Sequence, residues 1–152
     1  MTEGNRVVVI AMDGSADADK ALDFYSTNLY RENDDIVILH CVHHRSVYTY
    51  ESIWAPTDPG AISIAFEEES RKGNEVCKAI EQKLKDHNVT ARVIKLEGGD
   101  PGHTVVHKAT DLNAAMIIMG SRGLGTIRRT LLGSVSDYII HHSKCPVFVC
   151  RH

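Results

Sequence analysis

Residues 7–12 read VVVIAM, a continuous apolar run whose first four side chains are β-branched. Four more runs of strand length follow along the chain: IVILHCV at 36–42, ARVIKL at 91–96, AAMIIM at 114–119 and PVFVC at 146–150. Most of these runs are continuous rather than alternating, which is typical of strands buried on both faces of a parallel sheet. Arg92 and Lys95 interrupt the third of the five runs, so we expect that strand toward an edge of the sheet.

Amphipathic patterns typical of helices separate the five runs. We expect the first helix after the candidate N-cap Ser15 and the second at residues 62–87. The third opens at Asp100, an N-cap that is followed by proline at the first helical position. The fourth begins at Ser134, because Ser134 and Asp137 fit a capping box with Asp in place of the usual Glu.

This alternation of strands and helices predicts the fold class. Right-handed crossovers turn it into an α/β fold, a five-stranded parallel doubly wound sheet with helices on both faces. The 152 residues fit one domain that spans 1–152. Such sheets bind ligands beyond the carboxyl ends of their strands, at the topological switch point. The residues that follow Met12, Val42 and Met119 are therefore the first candidates for a binding site.

The segment 43–60 is longer than most loops in a compact domain and reads HHRSVYTYESIWAPTDPG. It leaves the carboxyl end of the second predicted strand. Two interpretations follow, a lid that carries Tyr48, Tyr50 and Trp54 over a ligand, or a mobile insertion.

A glycine-rich stretch at residues 119–138 follows the fourth apolar run and reads MGSRGLGTIRRTLLGSVSDY. Glycines between a strand and a helix can bring backbone N–H groups against an anion, and the helix N-terminus adds free donors and the positive end of a dipole. The stretch is neither a GxxxxGK[ST] phosphate loop nor a GxGxxG dinucleotide motif. Its residues alone leave phosphate binding and ordinary turn formation equally open.

The composition excludes several classes of protein. A net charge of -3 with 24% charged residues favours neither nucleic acid nor an anionic membrane as partner. The first apolar run is too short for a signal or membrane-spanning segment, so we expect a cytoplasmic protein. The four cysteines form no CxxC pair and lie in apolar patterns, which predicts reduced and mostly buried thiols.

The chain offers few candidates for metal binding or catalysis. His103 and His107 are spaced i, i+4 but lack an HExxH pattern, so we interpret them as surface histidines and predict no metal site. Nothing marks a general base within a catalytic set, so we assign no catalytic residue. Asp13 has two interpretations, a ligand toward nucleotide-bound Mg²⁺ or a residue that shapes the turn into the first helix.

The glycine-rich stretch resembles the signature of the ATP-binding universal stress proteins. Gly120, Gly123, Gly133 and Ser134 reproduce its G-x2-G-x9-G-[ST] spacing. Three further segments match in order, VVVIAMDGS at 7–15, LHCV at 39–42 and GSVSDYIIHHSKCPVFVCR at 133–151. The resemblance covers nearly the whole chain and is far more specific than one glycine motif.

The resemblance implies an ATP molecule, with or without Mg²⁺, that lies across the carboxyl ends of the strands. Ala11 and Asp13 would line its ribose and phosphate side, and the backbone around Cys41 and Val42 would meet the adenine. The phosphates would be wrapped by two groups of residues: Met119, Gly120, Arg122 and Gly123 on one side, and Gly133, Ser134, Val135 and Ser136 on the other. The family often has valine at the position of Cys41, a change that a backbone contact tolerates.

The resulting prediction is an ATP-binding universal stress protein, a dimeric nucleotide-dependent regulator with at most slow ATP hydrolysis. The apolar run at 146–150 ends the predicted sheet, and pairing between two copies along it would cover an open edge, as is typical of the family. Two alternatives stay open. One is an interaction scaffold of the same fold that uses no nucleotide, and the other is a small nucleotide hydrolase with the segment 43–60 as a lid.

Overall fold

A computed structural model describes residues 4–43, 58–121 and 132–151. Strands and helices alternate through these ranges in the predicted order. The strands are β1 Val7–Ala11, β2 Asp35–Val42, β3 Arg92–Glu97, β4 Met116–Gly120 and β5 Val147–Cys150. The helices are α1 Ala16–Asn28, α2 Pro59–Asp86, α3 Pro101–Asp111 and α4 Ser134–His142. The predicted lid segment lies largely outside the described residues, which omit 44–57.

The five strands form one parallel sheet in the order β3-β2-β1-β4-β5, which confirms the predicted doubly wound fold. The interrupted third run is an edge strand, as expected, and β5 forms the opposite edge. Strands β2 and β3 lie on one side of β1, and strands β4 and β5 lie on the other side. The topological switch point therefore lies between β1 and β4, where Ala11 is paired with Met119.

Each face of the sheet has its own hydrophobic core, which explains why the central strands have continuous apolar sequences. Successive strand residues point to opposite faces, so Val8 and Ile10 of β1 pack with α1 and α2 while Val9 packs with α3 and α4. The side chains of Val8, Val9 and Ile10 are all fully buried. Burial on both faces leaves no room for a polar side chain at these three positions of β1.

The helix starts follow the predicted caps in two cases. The Ser15 hydroxyl accepts from the Ala18 amide at the start of α1, and the Asp100 carboxylate accepts from the His103 amide at the start of α3. Helix α2 begins three residues earlier than predicted, because Asp58 caps it and proline occupies the first helical position.

The predicted capping box at the start of α4 is wrong. The N-cap is Gly133, so Ser134 is the first helical residue, and no side-chain cap bond is formed among the described residues. An N-cap hydroxyl must lie on the residue before the helix to reach the free amides. Placed one residue later, Ser134 and Asp137 cannot form the reciprocal pair that the spacing suggested.

The four cysteines are free, as predicted, but each is half-buried rather than fully buried. Burial raises the pKa of Cys77 and of Cys150 above the usual value. Their thiols are therefore protonated at neutral pH and are weak nucleophiles.

Candidate functional site

The carboxyl ends of β1 and β4 lie side by side at the switch point. Ala11 of β1 is paired with Leu39 of β2 and with Met119 of β4. Strand β2 continues beyond this level to Cys41 and Val42. The sheet therefore brings predicted residues from three separate parts of the sequence together at the carboxyl ends of its strands.

The two ends of the glycine signature meet at the end of β4. The Gly133 amide donates to the Ser121 carbonyl oxygen at 3.1 Å. The Ser136 hydroxyl donates to the Gly120 carbonyl oxygen, also at 3.1 Å. This convergence was expected from the order of the glycines. Arg122 and Gly123, which lie between these ends in the sequence, are outside the described residues.

Gly120 has a packing reason to be glycine. A Cβ at this position would lie 2.6 Å from the carbonyl carbon and 2.8 Å from the carbonyl oxygen of Asp17. Any side chain would therefore overlap the backbone of α1. The absence of a side chain lets the end of β4 approach the first turn of that helix closely.

The N-terminus of α4 faces the same region and carries amide donors that have no partner within the helix itself. Gly133 has φ -64° and ψ 151°, the extended conformation usual for an N-cap, and its carbonyl accepts the first helical bond from the Asp137 amide at 2.9 Å. The amides of Ser134, Val135 and Ser136 then have no acceptor within the helix. Ser134 and Val135 are exposed, whereas Ser136 is buried.

Asp13 shapes the turn after β1. Its Oδ1 accepts from the Ser15 amide at 2.9 Å, and Gly14 between them has φ +85°, which favours glycine. This contact matches the turn-forming interpretation of Asp13. Asp13 is half-buried and lies next to the end of β1, so the same turn also holds its carboxylate near the switch point.

Cys41 and Val42 are the last two residues of β2. The Cys41 thiol and the Val42 carbonyl each contact a backbone group outside this strand. Burial, followed by the nearby Asp100 carboxylate, raises the pKa of the Cys41 thiol to about 11. The Cys41 Sγ lies 4.0 Å from the Pro101 carbonyl oxygen. The Val42 carbonyl accepts from the Gly98 amide at 3.2 Å. Cys41 is therefore a neutral, half-buried lining group rather than a nucleophile.

Three polar residues of this region were missed in the sequence. His40 is buried at the end of β2, and its Nδ1 lies 2.8 Å from the Met12 carbonyl oxygen. Because a carbonyl can only accept, Nδ1 carries the proton and holds the turn that leads to Asp13. His40 interrupts an otherwise apolar run, which was a usable signal. Asp17 and Ser121 are also buried, but no local pattern marks them.

The structure also describes the regions that bear on the predictions about metal binding and membrane-spanning segments. Both His103 and His107 are exposed, as expected. Within residues 4–43, 58–121 and 132–151, no group of three or more histidine, cysteine or acidic side chains could hold a metal ion. None of the helices in these ranges is both long and apolar enough to cross a bilayer.

Comparison with known proteins matches nearly the whole chain to one protein family. Residues 4–151 match the model of the universal stress protein family. Universal stress protein Sll1388 of Synechocystis sp. is 26% identical over 150 residues, with 95% of this chain and 97% of that protein covered.

Solved structures of that family share the fold. Universal stress protein UspA from Lactobacillus plantarum has a TM-score of 0.78 at 19% identity, covering 96% of this chain and 97% of its own. A universal stress protein family protein from Arabidopsis thaliana with AMP bound has a TM-score of 0.66 at 19% identity, covering 97% of this chain and 92% of its own.

Proposed function

The chain belongs to the universal stress protein family, and on that basis we propose that it binds ATP at the switch point and acts as a dimeric, nucleotide-dependent stress-response regulator. The convergence of Gly120, Ser121 and Gly133 at the end of β4 carries the proposal. The N-terminus of α4, which has no side-chain cap among the described residues, thus lies beside the end of β4, and sheets of this kind bind ligands beyond the carboxyl ends of their strands. The AMP bound by the Arabidopsis relative supports an adenine nucleotide as the ligand class.

In this proposal the phosphates lie against the start of α4. The free amides of Ser134, Val135 and Ser136 and the positive end of the helix dipole favour an anion there. Met119, Gly120, Arg122 and Gly123 belong to the opposite wall of the phosphate site in the same proposal. The amide donors need no side chain, so glycine at the N-cap leaves the approach to them open.

The rest of the nucleotide extends along the strand ends. Ala11 and Asp13 meet the ribose and phosphate side, and the backbone of Cys41 and Val42 meets the adenine. Asp13 would also contact a Mg²⁺ ion that accompanies the phosphates, since hard cations prefer carboxylate oxygens. The Val42 carbonyl already accepts one bond from Gly98, and its second lone pair is the acceptor available to an adenine amino group.

The proposal includes at most slow hydrolysis of ATP. Asp13 is engaged with the Ser15 amide, and His40 is buried against the Met12 carbonyl. A general base must reach the attacking water, and the burial of His40 and the engagement of one Asp13 oxygen support binding over rapid turnover. A binding role in the cytoplasm, with the occupied and empty states read by a partner, is the function we propose.

Equilibrium binding of ATP by calorimetry tests the site. Gly133→Val keeps an allowed backbone conformation but places a branched side chain over the amides, so we expect ATP to bind at least about tenfold more weakly, or about 1.4 kcal/mol. Gly4→Val is the matched control, because an added Cβ there meets no described atom within 4 Å. Gly120→Val is unsuitable, since it would collide with α1.

Circular dichroism verifies that both variants are folded. Equal affinity in the unaltered chain and in folded Gly133→Val would contradict the phosphate site at α4. No binding of ATP by the unaltered chain would favour the scaffold without nucleotide.

A further inference from the structure

Asp17 is a carboxylate buried beneath the end of β4. It lies in the first turn of α1 and is only 5% exposed. Acidic residues are rarely buried to this degree unless their charge is compensated. The positive end of the α1 dipole provides part of that compensation.

Asp17 contacts the start of the glycine signature in two ways. Its Oδ2 accepts from the Ser121 hydroxyl at 3.1 Å in a buried contact between residues 104 positions apart. Its backbone and Cβ also lie against Gly120, where no side chain could fit. The first turn of α1 thus fixes both Gly120 and Ser121.

The backbone of Ser121 is also hydrogen-bonded to the end of β5 and to the N-cap of α4. Its amide donates to the Cys150 carbonyl at the end of β5, at 2.9 Å, and its carbonyl accepts from the Gly133 amide at 3.1 Å. Ser136 of α4 donates to the neighbouring Gly120 carbonyl. A chain of hydrogen bonds therefore runs from Asp17 through Ser121 to the N-cap of α4, from one face of the sheet to the other.

We propose that Asp17 is a positioning residue for the phosphate end of the nucleotide site, acting through the Ser121 hydroxyl. This inference rests on the proposed function, because it concerns the affinity for the phosphates of the same ligand. A site whose donors are held in place before binding spends less binding free energy on ordering them. Asp17 does not contact the ligand; it orients Ser121, which in turn orients Gly133 and the first turn of α4.

Asp19 is the natural control for Asp17. It lies in the same turn of α1 and carries the same charge, but its Oδ2 pairs with Lys83 of α2 and its side chain is 33% exposed. Removing the Asp19 carboxylate changes the charge of α1 by the same amount without touching Ser121. A general effect of α1 charge or stability on binding would therefore appear in both variants.

The test measures the dissociation constants of ATP and of adenosine for Asp17→Ala, Ser121→Ala, their double variant, Asp17→Asn and Asp19→Ala. We expect Asp17→Ala and Ser121→Ala each to weaken ATP binding about tenfold, the size of one buried hydrogen bond to a carboxylate. The double variant should bind ATP no more weakly than either single variant, because both remove one interaction. Affinity for adenosine, which has no phosphate, should stay unchanged.

Asp17→Asn distinguishes positioning from charge, because the amide oxygen still accepts from Ser121. We expect it to bind ATP within about threefold of the unaltered chain, as the acceptor is retained. Asp19→Ala should also match the unaltered chain. Ser121→Ala loses a single hydroxyl group and so keeps the test valid where Asp17→Ala fails to fold.

The failures of the two proposals are distinguishable. If the unaltered chain binds neither ATP nor adenosine, the proposed function is overturned and the inference with it. If the unaltered chain binds ATP but Ser121→Ala binds it equally well, the inference alone is overturned. The inference is also overturned if adenosine and ATP lose affinity equally, since the role of Asp17 would then not concern the phosphates.

Discussion

The carboxylate of Asp34 is the centre of a hydrogen-bonded group at the amino ends of the strands, away from the proposed site. Its side chain is only 1% exposed and accepts from Arg6 Nε at 2.7 Å and from Arg6 Nη2 at 2.5 Å. The Tyr25 hydroxyl donates to it at 2.6 Å. Burial alone would raise the pKa of Asp34, but the bonds from Arg6 and Tyr25 outweigh it and hold the pKa below the usual value.

We predict that Asp34→Ala lowers the free energy of unfolding by about 3 kcal/mol at neutral pH, because it leaves the Arg6 charge and the Tyr25 hydroxyl without their shared acceptor. The contribution of Asp34 is complete above its unfolded pKa, near 3.8, and is lost as pH falls through the lower folded pKa. Urea unfolding at a series of pH values should therefore show the two proteins converging only below pH 3.8.

The neighbouring Asp35 is the matched control for this prediction. Its side chain is 34% exposed and pairs with Arg92, itself 53% exposed, at 2.7 Å. Exposed ion pairs contribute little, so Asp35→Ala should cost less than about 1 kcal/mol. Equal losses in the two variants would show that burial of Asp34 does not determine its contribution.

Individual residues of the site differ in how far the sequence predicts them. The spacing of Gly120 and Gly133 correctly suggested that the two ends of the signature meet. Asp17 and Ser121 could not be found in this way, because their contact joins residues 104 positions apart and depends on the packing of α1 against β4. Local sequence encodes turns and caps, whereas a buried side-chain bond between distant elements needs the assembled fold.

Among the elements, the strands were predicted best, whereas the cap of α4 was predicted wrongly. Burial on both faces forces continuous apolar runs, and these are visible in any sequence. Ser134 and Asp137 imitate a capping box with Ser134 as the cap, whereas the N-cap is Gly133 and Ser134 is the first helical residue. A helix start that lacks a side-chain cap is the case that capping rules cannot detect.

The uncapped start of α4 leads to a second prediction, that stability and nucleotide binding oppose each other at Gly133. Its extended backbone suits an aspartate cap, so Gly133→Asp should raise the unfolding free energy of the ligand-free protein by about 0.5 kcal/mol through the cap bond and the helix dipole. The same carboxylate would occupy the amides and repel phosphate. We therefore expect a higher melting temperature and ATP affinity weaker by at least about tenfold.

Gly133→Asn separates the two effects of that substitution, because it caps as well as aspartate but carries no charge. It should stabilise the ligand-free protein to a similar degree and weaken ATP binding less than Gly133→Asp does. Thermal unfolding and calorimetry on the same samples provide both values. A Gly133→Asp protein that is stabilised and still binds ATP normally would show that the nucleotide does not use these amides.

At the scale of the whole molecule, the strand order leaves β5 as an edge with an apolar surface beside it. A groove between α1 and β5 is lined by Lys20, Phe24, Phe148, Val149, Cys150 and Arg151. Phe24 is 41% and Phe148 is 37% exposed, so this groove presents two large apolar side chains to solvent. Unpaired strand edges and exposed apolar surface both favour association, and these features support the proposed homodimer through β5.

The third prediction concerns this dimer and uses Phe148→Glu, which changes an exposed side chain and so should leave the fold intact. A symmetric interface would bury the new charge once in each copy, because each copy presents the same residue. We expect light scattering to give twice the 16.8 kDa chain mass for the unaltered protein and one chain mass for Phe148→Glu.

Ile64→Glu is the control, since Ile64 is 69% exposed on α2, which packs over β2 and β3. An Ile64→Glu protein that remains dimeric beside a monomeric Phe148→Glu would place the interface at β5. A dimeric Phe148→Glu protein would instead require an interface elsewhere, and the apolar edge would then need another explanation.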